Sequence, residues 1–144
     1  MKLHSDQTES NSLSILGAEV VRLIKTANYQ ELATRFGYAL AFGQEPSAVM
    51  KQEIAMCLSE EGRCATIDDA ANPDISVQYF KPNDSNLFAL VKCFLPLLQD
   101  PGEILVELIV TSEGLDNHVC IEQISYASSI GWAERSEAQR TLRT

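Results

Sequence analysis

The chain is 144 residues long, 45% hydrophobic, 22% charged and 7% aromatic. That is the length of one domain, with enough apolar material to build a core without disulfides or metals, and it excludes collagen-like, disordered and disulfide-scaffold architectures. The formal charge is −9, and residues 1–130 carry 18 acidic against 8 basic side chains because Arg135, Arg140 and Arg143 fall at the end. Such a field repels phosphate, so no nucleic acid is expected as a partner, whereas a basic protein is.

Residues 1–11 are polar and unpatterned, and read as a loose N-terminal arm. They lack the apolar stretch of a signal peptide. No apolar run reaches the roughly 18 residues of a membrane span; the longest, Leu87–Leu98, is broken by Lys92 and Pro96. The expectation is a cytoplasmic protein with no membrane contact, whose cysteines (Cys57, Cys64, Cys93 and Cys120) are reduced thiols.

From Leu13 the apolar spacing becomes helical: Leu13, Leu16, Val20, Leu23, Ile24 and Ala27 share one face, with Ser12 as the N-cap. Asn28-Tyr29-Gln30-Glu31 has capping-box spacing for a second helix. Tyr29, Leu32, Ala33, Phe36 and Leu40 share its face, Gly37 weakens it and Gly43 stops it. Pro46 suits the first turn of a third helix, with Met50, Ile54, Cys57 and Leu58 as its stripe and Gly62 as its end. Residues 63–74 read as turns, with a single helical turn at Thr66–Asp69.

The period then changes to two. Ile75, Val77 and Tyr79 form a half-buried strand, followed by a Lys81–Asn86 turn, a long strand 87–98, a Gln99–Gly102 turn, a strand 103–112 with Ile104, Val106, Leu108 and Val110 on one side, and a last strand 118–127. Short connectors favour antiparallel hairpins. The fold class is therefore α+β: N-terminal helices packed on a four-stranded antiparallel meander sheet, one domain over 12–128. Residues 129–144 form an appended polar tail. The run beginning Gly131-Trp132-Ala133-Glu134-Arg135 resembles translated dispersed repeats found at the ends of unrelated bacterial proteins.

No nucleophile elbow, phosphate loop, dinucleotide fingerprint or zinc-protease motif is present. The cysteines lack the paired close spacing of a structural zinc site, so no metal and no cofactor is expected, and no catalytic residue is assigned. His118, Cys120 and Glu122 share a strand face, where a solvated histidine at a strand mouth outweighs a metal or thiolate site. Acidic residues in the turns, among them Asp68, Asp69, Asp74, Asp84, Asp100, Glu113 and Asp116, read as solvated. Both faces of strand 87–98 are apolar, which is unusual for a sheet with helices on one side only. Phe80, Phe88, Leu90, Phe94, Leu105 and Ile109 thus form a candidate interface, unless the arm or the tail covers them.

Ala27-Asn28-Tyr29-Gln30-Glu31-Leu32-Ala33 resembles the start of an early helix in NTF2-like (cystatin-like) α+β domains. That resemblance implies helices followed by a curved antiparallel meander, with a ligand pocket between them. The family also places a strand among its early helices, and none is read here before Ile75. The polar-tipped residues of such a pocket would be Tyr38, Tyr79, His118 and Tyr126. Three functions follow: a non-enzymatic module that forms a homodimer through the outer sheet face, a small-molecule or enzymatic pocket, or an acidic immunity-like protein for a basic partner.

Overall fold

The computed structural model describes residues 1–3, 7–114 and 116–128. It is an α+β domain in the order β1 (Lys2–Leu3), α1 (Ser10–Lys25), α2 (Tyr29–Phe36), α3 (Pro46–Ser59), β2 (Thr66–Ile67), β3 (Asp74–Tyr79), β4 (Leu87–Leu98), β5 (Glu103–Glu113) and β6 (Asp116–Ala127). The expected tail, 129–144, lies outside the described residues. Among the described residues no helix is long and apolar enough to cross a membrane.

The helix ends follow local chemistry. Leu13 N–H donates to Glu9 O at 2.9 Å, so α1 starts at Ser10, ahead of the expected Ser12 cap. Asn28 Oδ1 accepts from Glu31 N–H, and Asn28 Nδ2 donates to Glu31 Oε2 at 2.9 Å, a reciprocal cap for α2. α2 stops at Phe36, earlier than the apolar spacing indicates. Gly37 adopts φ 69°, a conformation open to glycine, and turns the chain so that Tyr38 bridges Ile121 in parallel. Glu45 caps α3 by accepting from Ala48 N–H, with Pro46 in its first turn.

The meander β3-β4-β5-β6 is as expected, and two short strands extend it to six. β1 pairs with β6, and Thr66–Ile67 pairs with Leu97–Leu98 as β2 where a helical turn was expected. The first residues are therefore anchored rather than a loose arm. The N-terminal ammonium donates to Val119 O at 2.9 Å and Leu3 is buried.

Two bulges decide which residues face which way. Register slips by one between Leu87 and Ala89, making Phe88 the extra residue in β4, and again opposite Glu107/Leu108, making Glu122 the extra residue in β6. Among the described residues the helices cover one face. α1 lies on β3 and β4, α3 lies on β6, and α2 packs against both helices. Ala89, Val91, Cys93, Leu95, Ile104, Val106, Leu108, Val110 and Ile121 line this inner face, fully buried. Gly17 sets the closest approach: a Cβ there would sit 3.0 Å from Cys93 Sγ and 3.1 Å from Ile75 Cγ2.

Glu19 ties α1 to α2, bonding Arg22 in its own helix and Arg35 Nη1 at 2.7 Å. These bonds, Arg22's first, hold its carboxyl at about 2 against an ordinary 4.5. A depressed carboxyl pKa stabilises the fold above the unfolded value, and the contribution is lost as pH falls towards the folded value. Glu19→Gln should therefore lower the melting temperature at pH 7, and the gap to wild type should close between about pH 4.5 and 2. A gap constant with pH would assign the loss to packing. Leu108, fully buried mid-strand, should cost about 2–5 kcal/mol on truncation to Ala, read by denaturant unfolding.

Candidate functional site

The four polar-tipped residues do not converge on one site. Tyr79 lies at the end of β3, where its hydroxyl donates to Thr8 O at 2.7 Å and its ring meets Phe88 edge-on at 5.7 Å. His118 stands opposite Lys2 in the β1–β6 ladder, with Nε2 3.5 Å from Glu113 Oε2. Glu122, the bulged residue, stays exposed and its charge still acts on Cys120, so the bulge does not take it away from that side chain. Among the described residues no group of three His, Cys, Asp or Glu side chains is placed to hold a metal.

Tyr126 is locked at the other end of the sheet. Its hydroxyl donates to Asp100 Oδ1 at 2.6 Å, and the Arg63 guanidinium lies over its ring at 3.7 Å. Arg63 is itself held by Nε–H donation to Cys57 O at 2.9 Å. Asp100 also accepts from Gly102 N–H at 2.8 Å. The bonds from Tyr126 and then Gly102 draw the Asp100 carboxyl below its usual range, and the same bond to Asp100 leads the causes raising Tyr126. Asp100 is thus a bonded group rather than a solvated turn residue. Gly102 leaves room for the ring, since a Cβ there would fall directly on Tyr126.

Tyr38 is buried, and its hydroxyl makes no hydrogen bond of normal geometry among the described residues. Burial, then the charge of Glu53, pushes it up to about 12, with the Ile124 amide opposing. Cys57 nearby is raised by burial, and then by Glu53, to about 11; burial alone takes Cys93 to about 12 and leads the causes raising Cys120. Thiols raised in this way are poor nucleophiles. The Arg63–Tyr126–Asp100 lock was missed in the sequence. Its one legible sign is the Asp100–Gly102 pair, a spacing that suits an Asx turn.

The candidate interface residues divide by the bulges. Phe88, the bulged residue, packs against the core and Tyr79. Phe80 continues β3's outer row, with its N–H donating to Phe88 O at 2.9 Å. On the outer face Leu90, Ile109 and Cys120 lie in one cross-strand row, Lys92, Glu107 and Gln123 in the next, and Phe94, Leu105 and Ser125 in a third. Leu90, Leu105 and Ile109 are half-buried, while Phe94 is only 1% exposed and is covered within the chain.

Comparison with protein-family models, with curated proteins and with solved structures finds no match for this chain.

Gly102→Ala should expel the Tyr126 ring from the Asp100 turn and cost about 1–3 kcal/mol, the usual range for overpacking. Tyr126→Phe, which removes only the hydroxyl, should cost less. Equal melting temperatures for Gly102→Ala and wild type would mean that the ring is not held there.

Proposed function

We propose that this chain is a non-enzymatic interaction module that self-associates through the outer face of its sheet and works in the cytoplasm. The observation that carries this reading is the row pattern of that face. The polar row Lys92/Glu107/Gln123 is flanked by the half-buried Leu90/Ile109 row and by Leu105, so a face-to-face two-fold can set each Lys92 against the partner's Glu107 while the apolar rows close beside them. Support also comes from the tips of Tyr79 and Tyr126, which are spent on bonds inside the chain and are therefore poor candidates for a ligand.

The hydroxyl of Tyr38, buried beside Glu53 with no hydrogen bond of normal geometry among the described residues, favours a second reading, a small polar ligand seated between α3 and β6 as in an NTF2-like pocket. An acidic surface for a basic protein partner is a third, supported by the charge of −9.

Ile109→Glu tests the first reading without disturbing the inner face. The variant should remain folded by circular dichroism and sediment at half the wild-type mass. A folded variant at unchanged mass would remove the outer face as the contact.

A further inference from the structure

We infer that the free edge of β3 is a second self-association surface, where two copies join their sheets antiparallel about a two-fold axis at Val77. This goes beyond the outer-face contact and uses different atoms. β3 pairs only with β4 among the described strands. Phe80 N–H donates to Phe88 O, and the ladder places Tyr79 opposite Ala89, so even-numbered residues exchange their bonds with β4. Bonding alternates along an antiparallel strand, so the N–H and C=O groups of Ile75, Val77 and Tyr79 point away from β4. No backbone bond reaches them among the described residues. Edge strands are commonly blunted by a lysine, a proline or a bulge; Asp74–Tyr79 contains none of these.

A second copy fits this edge with the two-fold at Val77. With Val77 opposite the partner's Val77, Ile75 falls opposite the partner's Tyr79, and all three outward donors and acceptors are satisfied. Ser76 then meets Gln78 and Asp74 meets Phe80, so no like charges face each other. A slip by two towards Pro73 places a residue with no N–H in the ladder.

α1 agrees with this occupant. It runs antiparallel to β3, from Thr8 at Tyr79, past Gly17 at Ile75, to Lys25 Nζ donating to Ala71 O at 2.9 Å. Gly17 seats it between β3 and β4. With strands about 4.8 Å apart, the two-fold sets the two α1 helices about 10 Å apart, within reach of helix packing. The half of α1 brought together, Ser10–Ala18, contains no charged residue, and its flank towards the β3 edge carries Ser14 and Ala18. A groove of about 480 Å³ lined by Ala18, Val21, Lys25 and Pro73 runs along the same flank.

Sedimentation equilibrium of the full chain at tens of micromolar tests the pairing. Val77→Pro removes an N–H that points away from β4, so the meander should stay intact by circular dichroism while the mass falls to half the wild-type value. Ser14→Glu, one turn before Ala18 on the flank of α1 that faces the β3 edge, should also halve it by placing like charges near the axis. Amide exchange supplies a readout that needs no variant: Ile75, Val77 and Tyr79 should exchange slowly at high concentration and fast on dilution. Folded Val77→Pro at wild-type mass, or fast exchange of these amides at every concentration, overturns the proposal. Should Val77→Pro fail to fold, Ser14→Glu and the exchange decide. Failure of the outer-face contact is read separately, from Ile109→Glu.

Discussion

The approach of α1 to the sheet at Gly17 governs the rest of the molecule. A Cβ there would press on the side chains of Cys93, Ile75 and Val91 at 3.0–3.3 Å, so glycine lets the helix settle over the β3–β4 ladder without displacing them. Once seated, α1 is pinned at both ends, by Tyr79 on Thr8 and by Lys25 on the carbonyls of Asp69 and Ala71. Glu19 then fixes α2 through Arg35, and α2 packs on α3, which covers β6. The inner face is closed by this sequence of contacts, with Val91, Cys93, Val106 and Leu108 fully buried.

The polar side chains fit the same picture. Tyr126 braces the β4–β5 turn through Asp100 while Arg63 covers its ring, and Arg63 in turn holds the last turn of α3 through Cys57 O. Buried thiols with raised pKa behave as small hydrophobes. In our reading the remaining surface is used for contact between copies. The outer face is self-complementary through Lys92 and Glu107, and the β3 edge through the backbone about Val77. The two surfaces are compatible: edge pairing extends the sheet sideways, and face pairing stacks it.

Much of this fold was legible in residue spacing. Three helices, the Asn28 cap, the meander and the inner row Ile104, Val106, Leu108 and Val110 follow from period and turn chemistry alone. What period could not show were the two bulges, because one inserted residue reverses the alternation without altering composition. Phe88 therefore turns to the core, and from Gln123 onward β6 alternates in the opposite phase. Strands of two residues, β1 and β2, are too short to carry a period, and both exist because a longer strand offers them a ladder. Apolar spacing runs past Gly37, yet Gly37 is the stop of α2, since a positive φ is invisible in the sequence. The site candidates fared less well for a related reason. Tyr79 and Tyr126 have polar tips, but the partners of those tips, Thr8 and Asp100, are distant in sequence.

The central claim is that this domain acts by association rather than by enclosing a ligand. Sedimentation equilibrium of the wild-type chain over a range of concentrations tests it most directly. The account predicts a mass that is a multiple of 15.9 kDa and falls on dilution. A single species at 15.9 kDa, unchanged up to hundreds of micromolar, would contradict it.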